Sequence, residues 1–275
     1  MVHGIIRVFP GQDTMATAPL RIAYCGDTTL PGPASYLAGI MTWAGIPFLY
    51  VPSDRSLPEE ALAADIGAYV FSDYPSARIP AGMWPRLMAR IDAGCGVLMI
   101  GGWESFHGLG GDWDRTPLAA VLPVEMRRDD DRRNWPCAVL VRAPQAHPLC
   151  AGLSFQRPPS IGGYNEFAPR AGAQVVLEGE RFQAELAGDG FSFVGHGRLP
   201  LLVTGPDRPG PAGAGRRACL ATDVAPHWVG SLVDWGDARL TVAMGADAIE
   251  VGTGYARLFR NLLTWTLGRD PARDC

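Results

Sequence analysis

The sequence predicts an α/β fold with a mostly parallel central sheet. Three observations carry that expectation. Strand-like and helix-like stretches alternate four times up to residue 100, with short connections. The uncharged run Val97–Ile100 is too short for a buried helix and is framed by Gly94, Gly96, Gly101 and Gly102, as a buried central strand would be. Polar residues collect just past the end of each predicted strand, where open α/β sheets bind ligands.

The elements follow in order. Leu20–Cys25 reads as the first strand and leaves through Gly26-Asp27-Thr28-Thr29. Pro33–Ala44 reads as a helix, because Tyr36, Leu37, Ile40, Met41 and Trp43 recur at helical spacing and Gly45 suits its end. Phe48–Val51 is the second strand. Pro58-Glu59-Glu60 opens a short helix with proline and acids in its first turn. Ala68–Phe71 is the third strand, Pro80–Ala93 the next helix, and Val97–Ile100 the fourth strand. Right-handed crossovers then place four exit loops along one sheet edge, offering Asp27, Asp54, Asp73, Glu104 and His107.

Beyond residue 110 the pattern is less regular. Thr116–Leu122 reads as a short helix, and Met126–Pro136, dense in charge of both signs, as a solvated loop. Ala138–Val141, Gln174–Leu177, Leu199–Val203 and Ala218–Ala221 read as strands. His147–Leu153 reads as a short turn or helix, and Ser160–Glu166 as a glycine turn carrying polar groups. Pro206–Arg217 reads as a mobile loop. Ile249–Gly252 precedes a closing helix, Tyr255–Leu267, with one apolar face and a stop at Gly268. Residues 1–18 read as an N-terminal arm, within which Met15 looks like a natural beginning. Residues 19–270 read as a single domain with a partly β elaboration around 123–217.

Composition narrows the chemistry. All 24 basic residues are Arg, so a Schiff-base lysine and a phosphate-loop lysine are both excluded. A net charge of −4 argues against a nucleic-acid partner. The six cysteines form no C-x-x-C and no zinc-like cluster, and the start lacks a secretory signal. These features point to reduced thiols and a cytoplasmic location. The uncharged stretch between Asp27 and Asp54 is broken by Gly45-Ile46-Pro47, which fits a helix and a strand better than a membrane span. No cofactor is called for, and no metal is assigned, since a tight spacing such as H-E-x-x-H is missing.

Several motifs together resemble the putative glutamine amidotransferase family, relatives of the class I glutamine amidotransferases. They are G-G-W-E-S-F-H-G (101–108), T-P-L-A-A-V-L-P-V (116–124), H-P-L (147–149), I-G-G-Y-N (161–165), T-D-V-A-P-H-W (222–228) and the closing helix Y-A-R-L-F-R-N-L-L-T-W. The resemblance implies a flavodoxin-like three-layer sandwich with a class I glutamine amidotransferase-like sheet. It also implies an elbow, G-x-C-x-G, after the central strand, with a cysteine nucleophile. This chain reads Gly101-Gly102-Trp103-Glu104-Ser105 there, with no cysteine. Cys95 lies at the other end of the strand and Cys25 closes a different one. Without a thiolate, glutamine hydrolysis is not expected.

The expected site is therefore a crevice between the 101–108 and 222–228 loops. His227, Glu104 and His107 are the candidates for acid–base chemistry, a carboxylate beside an imidazole being usable near neutral pH. Asp27, Gly101, Gly102, Trp103, Ser105, Tyr164, Asn165, Asp223 and Trp228 are the candidates for ligand binding, and the Gly101 and Gly102 amides would hold an anion or oxyanion. The partner is a small polar molecule, bound and then hydrolysed or isomerised, with no nucleic acid and no membrane; a homo-oligomer stays open. The alternative is a non-catalytic ligand-binding or assembly module of the same fold.

Overall fold

The computed structural model describes residues 19–206, 215–244 and 247–273. The elements run β1 (Arg21–Gly26), α1 (Ala34–Trp43), β2 (Phe48–Val51), β3 (Ile66–Ser72), α2 (Trp84–Asp92) and β4 (Gly96–Ile100). There follow β5 (Val124–Met126), β6 (Arg132–Arg142), β7 (Ser160–Asn165), β8 (Phe167–Pro169), β9 (Gln174–Ala187), β10 (Gly190–Thr204) and β11 (Arg217–Leu220). The chain closes with α3 (Pro226–Val229), β12 (Arg239–Met244), β13 (Asp247–Gly252) and α4 (Thr253–Thr266).

One nine-stranded mixed sheet holds the fold, in the order β2-β1-β3-β4-β11-β10-β9-β6-β7. The half from β2 to β11 is parallel; β10, β9, β6 and β7 continue it antiparallel. The Val97–Ile100 run lies in the middle with parallel neighbours on both sides, Ser72 and Leu220 both pairing with Ile100. Val97, Leu98, Met99 and Ile100 are all fully buried, so both faces of the sheet are covered there. That is why the sequence shows an unbroken apolar run instead of alternation. α1 and α4 pack against each other, and the C-terminal turn of α4 lies on Gly96, where a Cβ would come within 1.9 Å of the Thr266 carbonyl oxygen.

Three expectations change. The Met126–Pro136 charge run is not all loop: β6 starts at Arg132. Its charges are satisfied locally, by Arg132–Asp130 at 2.8 Å, Arg127–Asp129 at 2.9 Å and both Arg127 and Arg133 on Glu166 at 3.0 Å. Ser160–Asn165 is not a turn but the strand β7, at the sheet edge. Its glycines leave room for Trp228, whose ring would lie 2.4 Å from a Cβ at Gly163. The strands foreseen at Gln174–Leu177 and Leu199–Val203 are only the inner ends of a long β9–β10 ribbon. Residues 1–18 and 207–214 lie outside the described residues, and with them the expected arm and most of the Pro206–Arg217 loop. Among the described residues no helix is long and apolar enough to cross a membrane.

Candidate functional site

β1, β2, β3 and β4 run parallel, so their exit loops meet at one edge and enclose a crevice of about 260 Å³. Its lining is Asp27, Thr28, Ser53, Asp73, Trp103, Glu104 and Leu109. Asp27 and Asp73 each follow a strand directly and take left-handed backbone, at φ 29° and 49°. Asp tolerates that region better than most side chains, but the strain still has to be held by its surroundings. At Asp27 the Tyr50 hydroxyl (2.5 Å) and the Ser53 amide (3.2 Å) donate to the backbone carbonyl. At Asp73 the backbone amide donates to Ser105 Oγ at 3.0 Å.

The elbow after β4 is occupied from within. The Glu104 amide donates to Asp73 Oδ1 at 2.8 Å, and the Trp103 amide also bonds this carboxylate. Gly102 is required by that approach, because a Cβ there would lie 2.1 Å from Asp73 Oδ1. The Gly101 amide donates to the Leu220 and Thr222 carbonyls, and the Gly102 amide to Asn165 Oδ1 at 2.8 Å. The two glycine amides expected to hold an anion are therefore already spent on the protein itself.

Asn165 and Asp131 fix this loop from below. Asn165 is 1% exposed; its Nδ2 donates to the Gly102 carbonyl (3.1 Å) and to Asp131 Oδ1 (2.7 Å). The fully buried Asp131 also accepts from the amides of His107 (3.0 Å) and Gly108 (3.1 Å). Burial raises its carboxyl above the usual range, and these donors pull in the opposite direction.

The electrostatics of the crevice are one-sided. Burial, with the charges of Asp73 and Glu104, pushes the Asp27 carboxyl up to about 7. Burial pushes Asp73 up to about 6 against the two amides that stabilise its charge, and raises Glu104 as well. On the neighbouring loop after β11, Asp223 is 1% exposed and held well above its ordinary value by burial and by Asp73 and Asp27. His227 Nε2 touches Asp223 Oδ2 at 3.1 Å but is not aligned as a hydrogen bond. The His227 side chain is 51% exposed, and burial lowers its pKa. Both partners therefore lean toward a neutral imidazole beside a protonated acid.

The expected residues thus separate. Asp27, Trp103 and Glu104 line the crevice. Asp223 stands on the adjacent loop at the same edge, since β4 and β11 are parallel neighbours, and His227 follows it in α3. Trp103 is half exposed, with the Arg132 guanidinium 4.5 Å from its ring centre. Gly101, Gly102, Ser105, Tyr164, Asn165 and Trp228 are buried and form the frame under the loops, offering no surface to a ligand. His107 Nδ1 is 2.9 Å from Asp114 Oδ1, away from the crevice lining. Among the described residues, His107, Asp112 and Asp114 are the one group spaced like shared metal ligands, and Arg115 pairs with both aspartates. Asp73, which the exit loop after β3 was expected to offer at this edge, lines the crevice as well, while Thr28, Ser53 and Leu109 join it without a signal in the sequence.

A family model described as putative glutamine amidotransferase matches residues 61–266. Two solved structures are similar over most of their length. The cytoplasmic protein STM3548 from Salmonella typhimurium is 24% identical, with a TM-score of 0.65, over 90% of this chain and 98% of that one. The cytoplasmic protein STM1381 from Salmonella typhimurium LT2 is 25% identical, with a TM-score of 0.59, over 77% and 91%. What they share with the chain is the fold. No curated protein matches it significantly.

Proposed function

From the putative glutamine amidotransferase family, to which this chain belongs, we propose a member that does not hydrolyse glutamine and instead binds a small, uncharged or cationic polar molecule in the Asp27–Asp73–Glu104 crevice. The observation that carries the reading is the convergence of three carboxyl groups on one pocket with no guanidinium among its lining residues. Such a lining repels anions and favours hydroxyl, amide or ammonium groups. The fold in this reading is a flavodoxin-like three-layer sandwich acting as one domain over 19–270, in a cytoplasmic protein.

Glu104 and Asp27 are the acid–base pair. Burial raises both carboxyls, that of Asp27 up to about 7, and a carboxyl so raised can give or take a proton during hydrolysis or isomerisation. His227 serves from α3, with Asp223 behind it, orienting the ligand or relaying a proton. A non-catalytic binding module is favoured over acyl transfer by one detail: the amide that follows the nucleophile position already holds Asp73.

The missing thiolate is the case against glutaminase. Cys25 is fully buried and burial pushes its thiol up, away from the nucleophilic form. Ammonia release from glutamine is expected at background and unchanged in Cys25→Ser. Release that this substitution abolishes would overturn the reading.

A thermal-shift screen of small polar metabolites is expected to find a stabilising compound that is uncharged or cationic. Glu104→Gln should weaken its binding by about ten-fold or more, the ~1.4 kcal/mol typical of a lost charged hydrogen bond. A ligand whose affinity ignores both Glu104→Gln and Asp27→Asn binds elsewhere, and this crevice would then lose its assignment.

A further inference from the structure

We propose that the outer part of the β9–β10 ribbon is the surface through which two copies of this chain associate. The ribbon extends beyond the body of the sheet: residues 183–198 are all exposed. Its register sets Phe191 opposite Leu186, Phe193 opposite Ala184 and Gly195 opposite Phe182. Directly opposed residues share a face, so Phe182, Ala184, Leu186, Phe191 and Phe193 form one apolar stripe. The opposite face pairs Ser192 with Glu185 and Val194 with Gln183 and is largely polar. At its base that face is covered by Trp135, whose ring lies 5.6 Å from His196.

Leu186 is 78% exposed, Phe191 70% and Phe193 69%. An aromatic side chain carries roughly 150–250 Å², so the two rings alone leave roughly 200–350 Å² in water per copy. Leu186 and Ala184 add to it. A two-stranded ribbon is marginal by itself in water, and an apolar patch of a few hundred Å², the most that a typical monomer leaves exposed, is often functional.

Two features single out a second copy as the occupant. First, the stripe runs into an apolar groove at the ribbon base, about 450 Å³, bordered by Leu140, Phe182 and Phe193. Two ribbons stacked face to face about a twofold axis would lay each tip, Leu186 and Phe191, over the other's groove. An isologous interface requires that self-complementarity. Doubling the exposed stripe, Leu186 and Ala184 included, brings the buried area toward the lower end of the roughly 1,200–2,000 Å² of a stable interface. Second, the charges on this face are internally paired, Arg142 with Glu180 at 2.8 Å and Arg198 with Glu178 at 3.1 Å. A face with balanced charge meets its own copy without like-charge repulsion.

Sedimentation of the full chain at micromolar concentration tests this. The wild type is expected at twice the chain mass, and Phe193→Glu at the chain mass, with at least about ten-fold weaker association, as for an interface anchor. Leu186→Glu, at the most exposed position of the stripe, should give the same result, and it serves as the test if Phe193→Glu lowers the melting temperature. A wild type that stays monomeric, or a dimer that neither substitution weakens, overturns the proposal.

Discussion

Asp27→Asn is expected to make the protein more stable at pH 8, by on the order of 2 kcal/mol, and to change it little below about pH 4. The Asp27 carboxyl is held up to about 7 by burial and by Asp73 and Glu104, and its Oδ2 has no hydrogen-bond partner. In the unfolded chain the same group ionises near 4. Between those values the folded state keeps a proton that the unfolded state has released, so stability falls as pH rises through this window and levels off above it. Asparagine carries no charge to desolvate and tolerates the left-handed backbone at this position. A full shift of this size corresponds to about 4 kcal/mol; the smaller figure allows for solvent reaching the mouth of the crevice. Denaturant unfolding at pH 4, 6 and 8 checks it. A substitution that destabilises equally at all three would show that Asp27 is a structural anchor and carries no stored repulsion. If the gain is seen together with lost ligand binding, the carboxylate is being kept for function at the expense of stability.

Asn165→Ala is expected to cost about 2–4 kcal/mol, the largest loss from any single truncation near the site. The side chain bonds both the amide and the carbonyl of Gly102 and also Asp131, and at 1% exposure it is out of reach of bulk solvent. Its removal would orphan a buried amide and strip one donor from a buried carboxylate, each a penalty of about 1–3 kcal/mol, with partial relaxation offsetting some of the sum. A melting temperature within a degree or two of wild type would mean the 101–108 loop is held by other contacts. Asn165→Asp should be worse near neutral pH, since it places a second acid against Asp131.

The parallel half of the sheet was legible because burial on both faces writes an unmistakable pattern: Val97–Ile100 and Ala68–Phe71 are short, apolar and buried throughout. The edge carrying the site was legible for the same reason, since strand direction fixes which loops meet. The buried polar frame was not. Asn165, Ser105 and Asp131 look like surface residues in a sequence, and only their partners, 23 to 63 positions away, make burial affordable. Trp228 and Tyr164 were expected to wall a ligand and instead fill the core beneath it, a distinction that depends on which way a loop folds back. The outer ribbon was missed because Glu178, Glu180, Glu185 and four glycines between Gly188 and Gly197 suggest a loop. The Gly188-Asp189 turn between two runs of similar length was the signal for a hairpin.

Asp73 sits on the elbow amides like a permanent inhibitor. A catalytic elbow must keep the amide after its nucleophile empty until the transition state arrives, and here a carboxylate of the same chain fills it in the resting state. A cysteine placed at position 103 would therefore meet an elbow whose following amide is already taken. The aspartate would have to leave as well, and Gly102, shaped around it, would lose the contact that now justifies it. Asp73 and Gly102 therefore constrain each other: neither position can change alone without disturbing the elbow.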